Sequence, residues 1–82
     1  MRNVKRAEVR YGEVYDLKVG INHGHSGWAD GRVRVVSLLV ANTDDAPAPY
    51  YEAVVRFVDP SHAGYRDLKL CGPQIDYHLW EL

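Results

Sequence analysis

Three consecutive stretches decide the fold: Arg32-Val-Arg-Val-Val-Ser-Leu-Leu-Val-Ala-Asn42, then Thr43-Asp-Asp-Ala-Pro-Ala-Pro49, then Tyr50-Tyr-Glu-Ala-Val-Val-Arg-Phe-Val-Asp59. Two apolar runs rich in β-branched and aromatic residues flank a turn of Asp, Ala and Pro, which is the pattern of strand, turn and strand. The first run opens with Val33 and Val35 on one face and Arg32 and Arg34 on the other. Val36, Leu38 and Val40 then take over on the opposite phase. Either both faces are covered from there on, or a bulge near Val35 flips the phase. In the second run a strand puts Tyr51, Ala53, Val55 and Phe57 inside, with Glu52 and Arg56 outside. A helix over 47–58 is the alternative: Tyr51, Val54, Val55 and Val58 share a helical face, Asp44 or Asp45 serves as N-cap, and Pro47 lies early in the first turn. The β-branched and aromatic content favours the strand.

Outward from this hairpin, other segments read as strands too. Ala7, Val9, Tyr11, Tyr15, Leu17, Val19 and Ile21 occupy odd positions, while Arg6, Glu8, Arg10, Asp16 and Lys18 occupy even ones. A three-residue loop at Tyr11-Gly12-Glu13 keeps that phase, and so does one long strand bent at Gly12. Residues 22–31 form a polar loop with three glycines and no periodicity. Turns follow at Asp59–Gly64 and Cys71–Pro73, with a short strand predicted over 65–70 between them. The last strand is predicted over Ile75–Leu82, with Ile75, Tyr77 and Leu79 on one face and His78, Trp80 and Leu82 on the other.

The expectation is a mainly β protein: a compact antiparallel, sandwich-like fold of five or six strands in a single domain over 1–82. The α+β form with a helix at 47–58 is the alternative. At 82 residues, a chain buries only roughly 60–65% of its unfolded surface, so its stability margin is thin. Met1 predicts a complete small gene product. The absence of an apolar leader core and the single Cys71 predict a reducing, cytoplasmic setting without a membrane span. A net charge of −1 supplies no overall field to gather nucleic acid.

Residues 15–59 resemble the front half of CARDB-type immunoglobulin-like bacterial domains. Tyr15-Asp-Leu-Lys-Val19, Val33-Arg-Val35, Val40-Ala-Asn-Thr-Asp-Asp-Ala-Pro-Ala-Pro49 and Val54-Val-Arg-Phe-Val-Asp59 carry the likeness. Where that family has Gly after Asn-Thr, this chain has Asp44. The ending Tyr77-His-Leu-Trp-Glu-Leu82 is similar to the final strand of some small phage anti-CRISPR proteins, which implies an inhibitor that blocks a host protein surface.

Chemistry has little foothold. His23 and His25, with Asp30 nearby, form an H-x-H loop that His62, Cys71 and His78 could complete into the metal site of a metal-dependent enzyme, the second alternative for function. Zinc, however, needs three or four ligands in tetrahedral array, and no CxxC or HxxxH accompanies the pair. Neither a metal nor a cofactor is therefore expected. Cys71 precedes Gly-Pro in a turn and reads as a structural thiol. Asp44 and Asp45 are turn formers. Arg6 and Arg10 on one strand, with Arg32 and Arg34 on another, could form an arginine stripe for nucleic acid, with Trp28 or Tyr11 stacking on bases. The favoured expectation is non-enzymatic binding of a host or cellular protein through Trp28, His23, His25, Asp30 and Trp80. Trp80 and Leu82 add a sticky edge that could support a homodimer.

Overall fold

The computed structural model describes residues 2–20, 28–42, 44–45 and 48–82. Along the chain run β1 (Val14–Leu17), β2 (Gly31–Ala41), β3 (Tyr50–Phe57), β4 (Leu68–Cys71), α1 (Gly72–His78) and β5 (Leu79–Trp80). Two single 3-10 turns lie at Arg6–Glu8 and Pro60–His62. The strands form one antiparallel sheet in the order β4-β3-β2-β1-β5. The sheet is curled and the protein is mainly β, as expected, with five strands among the described residues. The core's second layer comes from α1 and the N-terminal segment: Ile75, Val4 and Val9 join the buried cluster of the sheet's inner face.

The β2–β3 hairpin forms as its sequence predicts. The helix over 47–58 does not: residues 50–57 pair with β2 on one side and β4 on the other. Both edges of β3 are thus used, which suits its β-branched run. Ala53 and Val55 are buried, and Tyr51 and Phe57 pack against the core from the same face. The phase flip in β2 is a bulge. Val35 pairs with Val55 and Ser37 with Val54, which leaves Val36 as the extra residue. Val33 and Val35 are fully buried before it, and Leu38 packs against the core after it.

The N-terminal third differs from both predicted arrangements. Arg6–Glu8 is a 3-10 turn, held where the Glu8 carboxylate accepts the Lys5 N–H at 3.1 Å. The Glu13 N–H then donates to the Arg10 carbonyl at 3.3 Å across a tight turn, with Gly12 at φ 86°. That left-handed conformation at the third turn position suits glycine. Val9, Tyr15, Leu17 and Val19 are buried as the odd phase requires, but Ala7 and Tyr11 are exposed.

The C-terminal strand over Ile75–Leu82 is corrected to a helix followed by two strand residues. Gly72 and Pro73 occupy its first positions, and the Gln74 carboxamide accepts the Cys71 N–H at 2.9 Å. Ile75, His78 and Leu79 are buried at helical spacing, while Tyr77 is 77% exposed. The alternation of Ile75, Tyr77 and Leu79 is thus coincidental. Arg6 ties α1 to the N-terminus: its backbone N–H and Nε donate to the Asp76 carboxylate at 2.7 and 2.9 Å, and its Nη2 bonds the same carboxylate. The short strand predicted over 65–70 begins at Leu68 and runs to Cys71.

Candidate contact surface

The described residues singled out from the sequence, Trp28, Asp30 and Trp80, are each engaged in contacts within the fold. Trp28 is half-buried, packs against the core, and meets the His78 ring edge-on at 5.5 Å between centroids. Asp30 serves the backbone, accepting the Val19 N–H at 2.8 Å. His23 and His25 lie outside the described residues. Trp80 is half-buried on the outer face of β5, with Lys18 Nζ 5.1 Å from its ring centroid. Among the described residues, no group of three His, Cys, Asp or Glu side chains could hold a metal ion.

The predicted arginine stripe separates. Arg6 turns to Asp76 on α1, and that pairing lifts the guanidinium pKa while holding the Asp76 carboxyl below the usual carboxylate range. Arg10 borders an open cleft of about 270 Å³ that also holds Arg2, Glu8, Glu13 and Glu81. Arg2 is already bound there by Glu8 and Glu81. Arg32 and Arg34 do share the outer face of β2, joined by Arg56 directly across from Arg34. Arg34 donates to the Gly12 carbonyl at 3.0 Å, and Arg56 forms a two-pronged pair with Asp67. Those bonds relieve the cost of like charges placed opposite each other.

The predicted sticky edge at Trp80 is covered. The Val4 N–H donates to the Leu79 carbonyl and the Glu81 N–H to the Arg2 carbonyl, each at 2.8 Å. Asn3 bridges to Trp80, and its side chain also reaches the Leu79 carbonyl. Residues 2–4 thus occupy the position of a further strand.

An open edge lies elsewhere. β1 pairs with β2 only at residues 31–34, and Val35 adds the last bonds on that side: its N–H donates to the Glu13 carbonyl and its own carbonyl accepts the Gly12 N–H. Val35 therefore faces β1. Its partner Val55 then faces β4, and the next residue, Val54, faces β2. Ser37, paired with Val54, faces β3, as do Leu39 and Ala41. Leu38 and Val40 must turn their N–H and C=O groups away from β3. Among the described residues no strand pairs with them there.

This outer length of the hairpin exposes apolar side chains on both faces, with Glu52 opposite Leu39 on the outer one. Leu39 and Tyr50 on the outer face are 48% and 43% exposed, and Val40 on the inner face is 49% exposed. Tyr50 is pinned: its hydroxyl donates to Glu52 at 2.8 Å and lies 3.3 Å from the Cys71 thiol. Those contacts with Cys71 and Glu52 push the phenol pKa above its ordinary value. The Cys71 thiol is thus a neighbour of this surface. Sequence reasoning missed Leu39, Val40 and Tyr50 as surface residues. The available signal was Val35–Ala41, seven residues without a charge, set against the early interruption of the preceding strand at Gly12.

No family model, curated protein or solved structure matches the chain.

Proposed function

We propose that this protein is a non-enzymatic protein-binding module whose contact surface is the outer length of the β2–β3 hairpin. The observation that carries this reading is the exposed apolar arm with an open backbone edge at Leu38 and Val40. Such an edge accepts a strand from another chain through main-chain hydrogen bonds, while side chains on both faces supply selectivity. The narrower form, an anti-CRISPR-like phage inhibitor of a host protein, rests on the C-terminal resemblance. That segment is the end of α1 plus β5. A capture experiment tests the module reading. A protein retained by wild type and lost with a folded Leu39→Lys/Tyr50→Lys variant supports it. Equal retention by both overturns the arm as contact surface.

A second reading is nucleic-acid binding on the outer face. Arg32, Arg34 and Arg56 lie together there, and Trp80 occupies the same row as Arg32 through their common neighbour Asp16. Arginines for phosphates beside an aromatic for a base is a single-strand binding arrangement. Binding to RNA or DNA that weakens steeply with salt favours it, and no binding at low salt excludes it.

A further inference from the structure

The edge at Leu38 and Val40 is open to a strand of matching polarity. We propose that two copies of this chain join antiparallel through residues 36–41 of β2, fusing their five-stranded sheets across a twofold axis. This proposal rests on the arm being a contact surface and names its occupant.

Three observations carry it. The first is backbone complementarity. Leu38 and Val40 each present an N–H and a C=O to the open side. A twofold axis perpendicular to the sheet sets the same residues of the second copy opposite them, donors facing acceptors. Inner faces then meet inner faces, so Leu38 and Val40 also pack against their equivalents.

The second is the lack of protection. Exposed edges are usually blunted by Lys, Pro or a covering segment. The edge beyond β5 has such a cover in residues 2–4. β4, the other outermost strand, is four residues long and carries Lys69. The 36–41 edge has no charge, no proline and, among the described residues, no cover.

The third is charge. Arg34 marks the inner end of the open edge, and Asp44 and Asp45 follow its outer end. Antiparallel pairing directs the acidic turn of each copy toward the arginine end of the other. Parallel pairing would set like charges side by side.

The test is sedimentation equilibrium across the micromolar range at two salt concentrations. Wild type should form a concentration-dependent dimer that weakens with salt. Val40→Lys should raise the dissociation constant at least about tenfold, with an unchanged far-UV circular dichroism spectrum. Asp44→Asn/Asp45→Asn should weaken the dimer and lose the salt dependence. A wild-type monomer at every concentration overturns the proposal, as does a dimer that Val40→Lys leaves intact. Should Val40→Lys fail to fold, nitroxides in a Cys71→Ser background decide instead. The distance between copies should be shorter from Ser37 than from Lys69 by more than about 10 Å, since two strand spacings separate those positions in each copy. Equal distances overturn the pairing. A monomeric wild type whose captured partner is lost with Leu39→Lys/Tyr50→Lys defeats self-pairing alone. A monomer whose capture that variant leaves unchanged defeats the contact surface as well.

Discussion

Ile75→Ala and Tyr77→Ala together separate the helical from the extended reading of the C-terminal segment. A strand would put both side chains on one face, and their loss would cost similar amounts. In α1, Ile75 is fully buried and Tyr77 is 77% exposed. Removing a buried Ile side chain costs about 2–5 kcal/mol, the spread reflecting how far the site collapses. Exposed substitutions away from special contacts usually stay within about 0.5 kcal/mol. A domain of this length has only about 4–12 kcal/mol in total, so Ile75→Ala removes a large share. Each kcal/mol is worth about 4–8 °C of melting temperature at this size, so the expected drop is about 10 °C or more. Urea unfolding followed by tryptophan fluorescence measures both variants, and an unchanged m value confirms that the midpoint shift reflects stability. Equal destabilisation by the two variants, or a neutral Ile75→Ala, would refute the helix.

Two more predictions follow from contacts in the core and at the N-terminus. Trp28→Ala should destabilise by about 1–3 kcal/mol, because the ring packs on the core and on His78; an unchanged melt would place Trp28 at the surface. The Asp76 carboxyl is held low first by its side-chain bond with Arg6, so its contribution is present above the ordinary carboxylate pKa and lost as pH falls through the depressed value. Asp76→Asn should therefore lower the melting temperature at neutral pH, with the gap to wild type closing in acid; a gap that is constant with pH would contradict the pairing.

The hairpin was legible because its two signals are local. β-branched runs select strands, and the broken alternation at Val35 marks the bulge that Val35 and Ser37 now bracket. The phase of β3 was likewise readable from Ala53 and Val55. Helix α1 was hidden because a seven-residue helix offers two turns at most, and Ile75, Tyr77 and Leu79 mimic a strand over that length. The Arg6–Glu8 turn was hidden because Lys5 stands where a Ser, Thr, Asp or Asn would signal the cap, and because its second tie, to Asp76, lies far along the chain. The candidate surface was legible as apolar sequence but not as surface. Its exposure depends on how far β1 reaches along β2, and that limit comes from tertiary pairing. The packing of Trp28 on the core was hidden for the converse reason: its glycine-rich neighbourhood carries no local signal of the contact.

The open edge itself is most directly tested by amide hydrogen exchange, read residue by residue on the chain at dilutions where it is monomeric. The Leu38 and Val40 N–H groups should exchange much faster than those of Leu39 and Ala41, which face β3. Protection of Leu38 and Val40 equal to that of Leu39 and Ala41 at such dilution would mean that the edge is already covered within one chain, and would contradict the account.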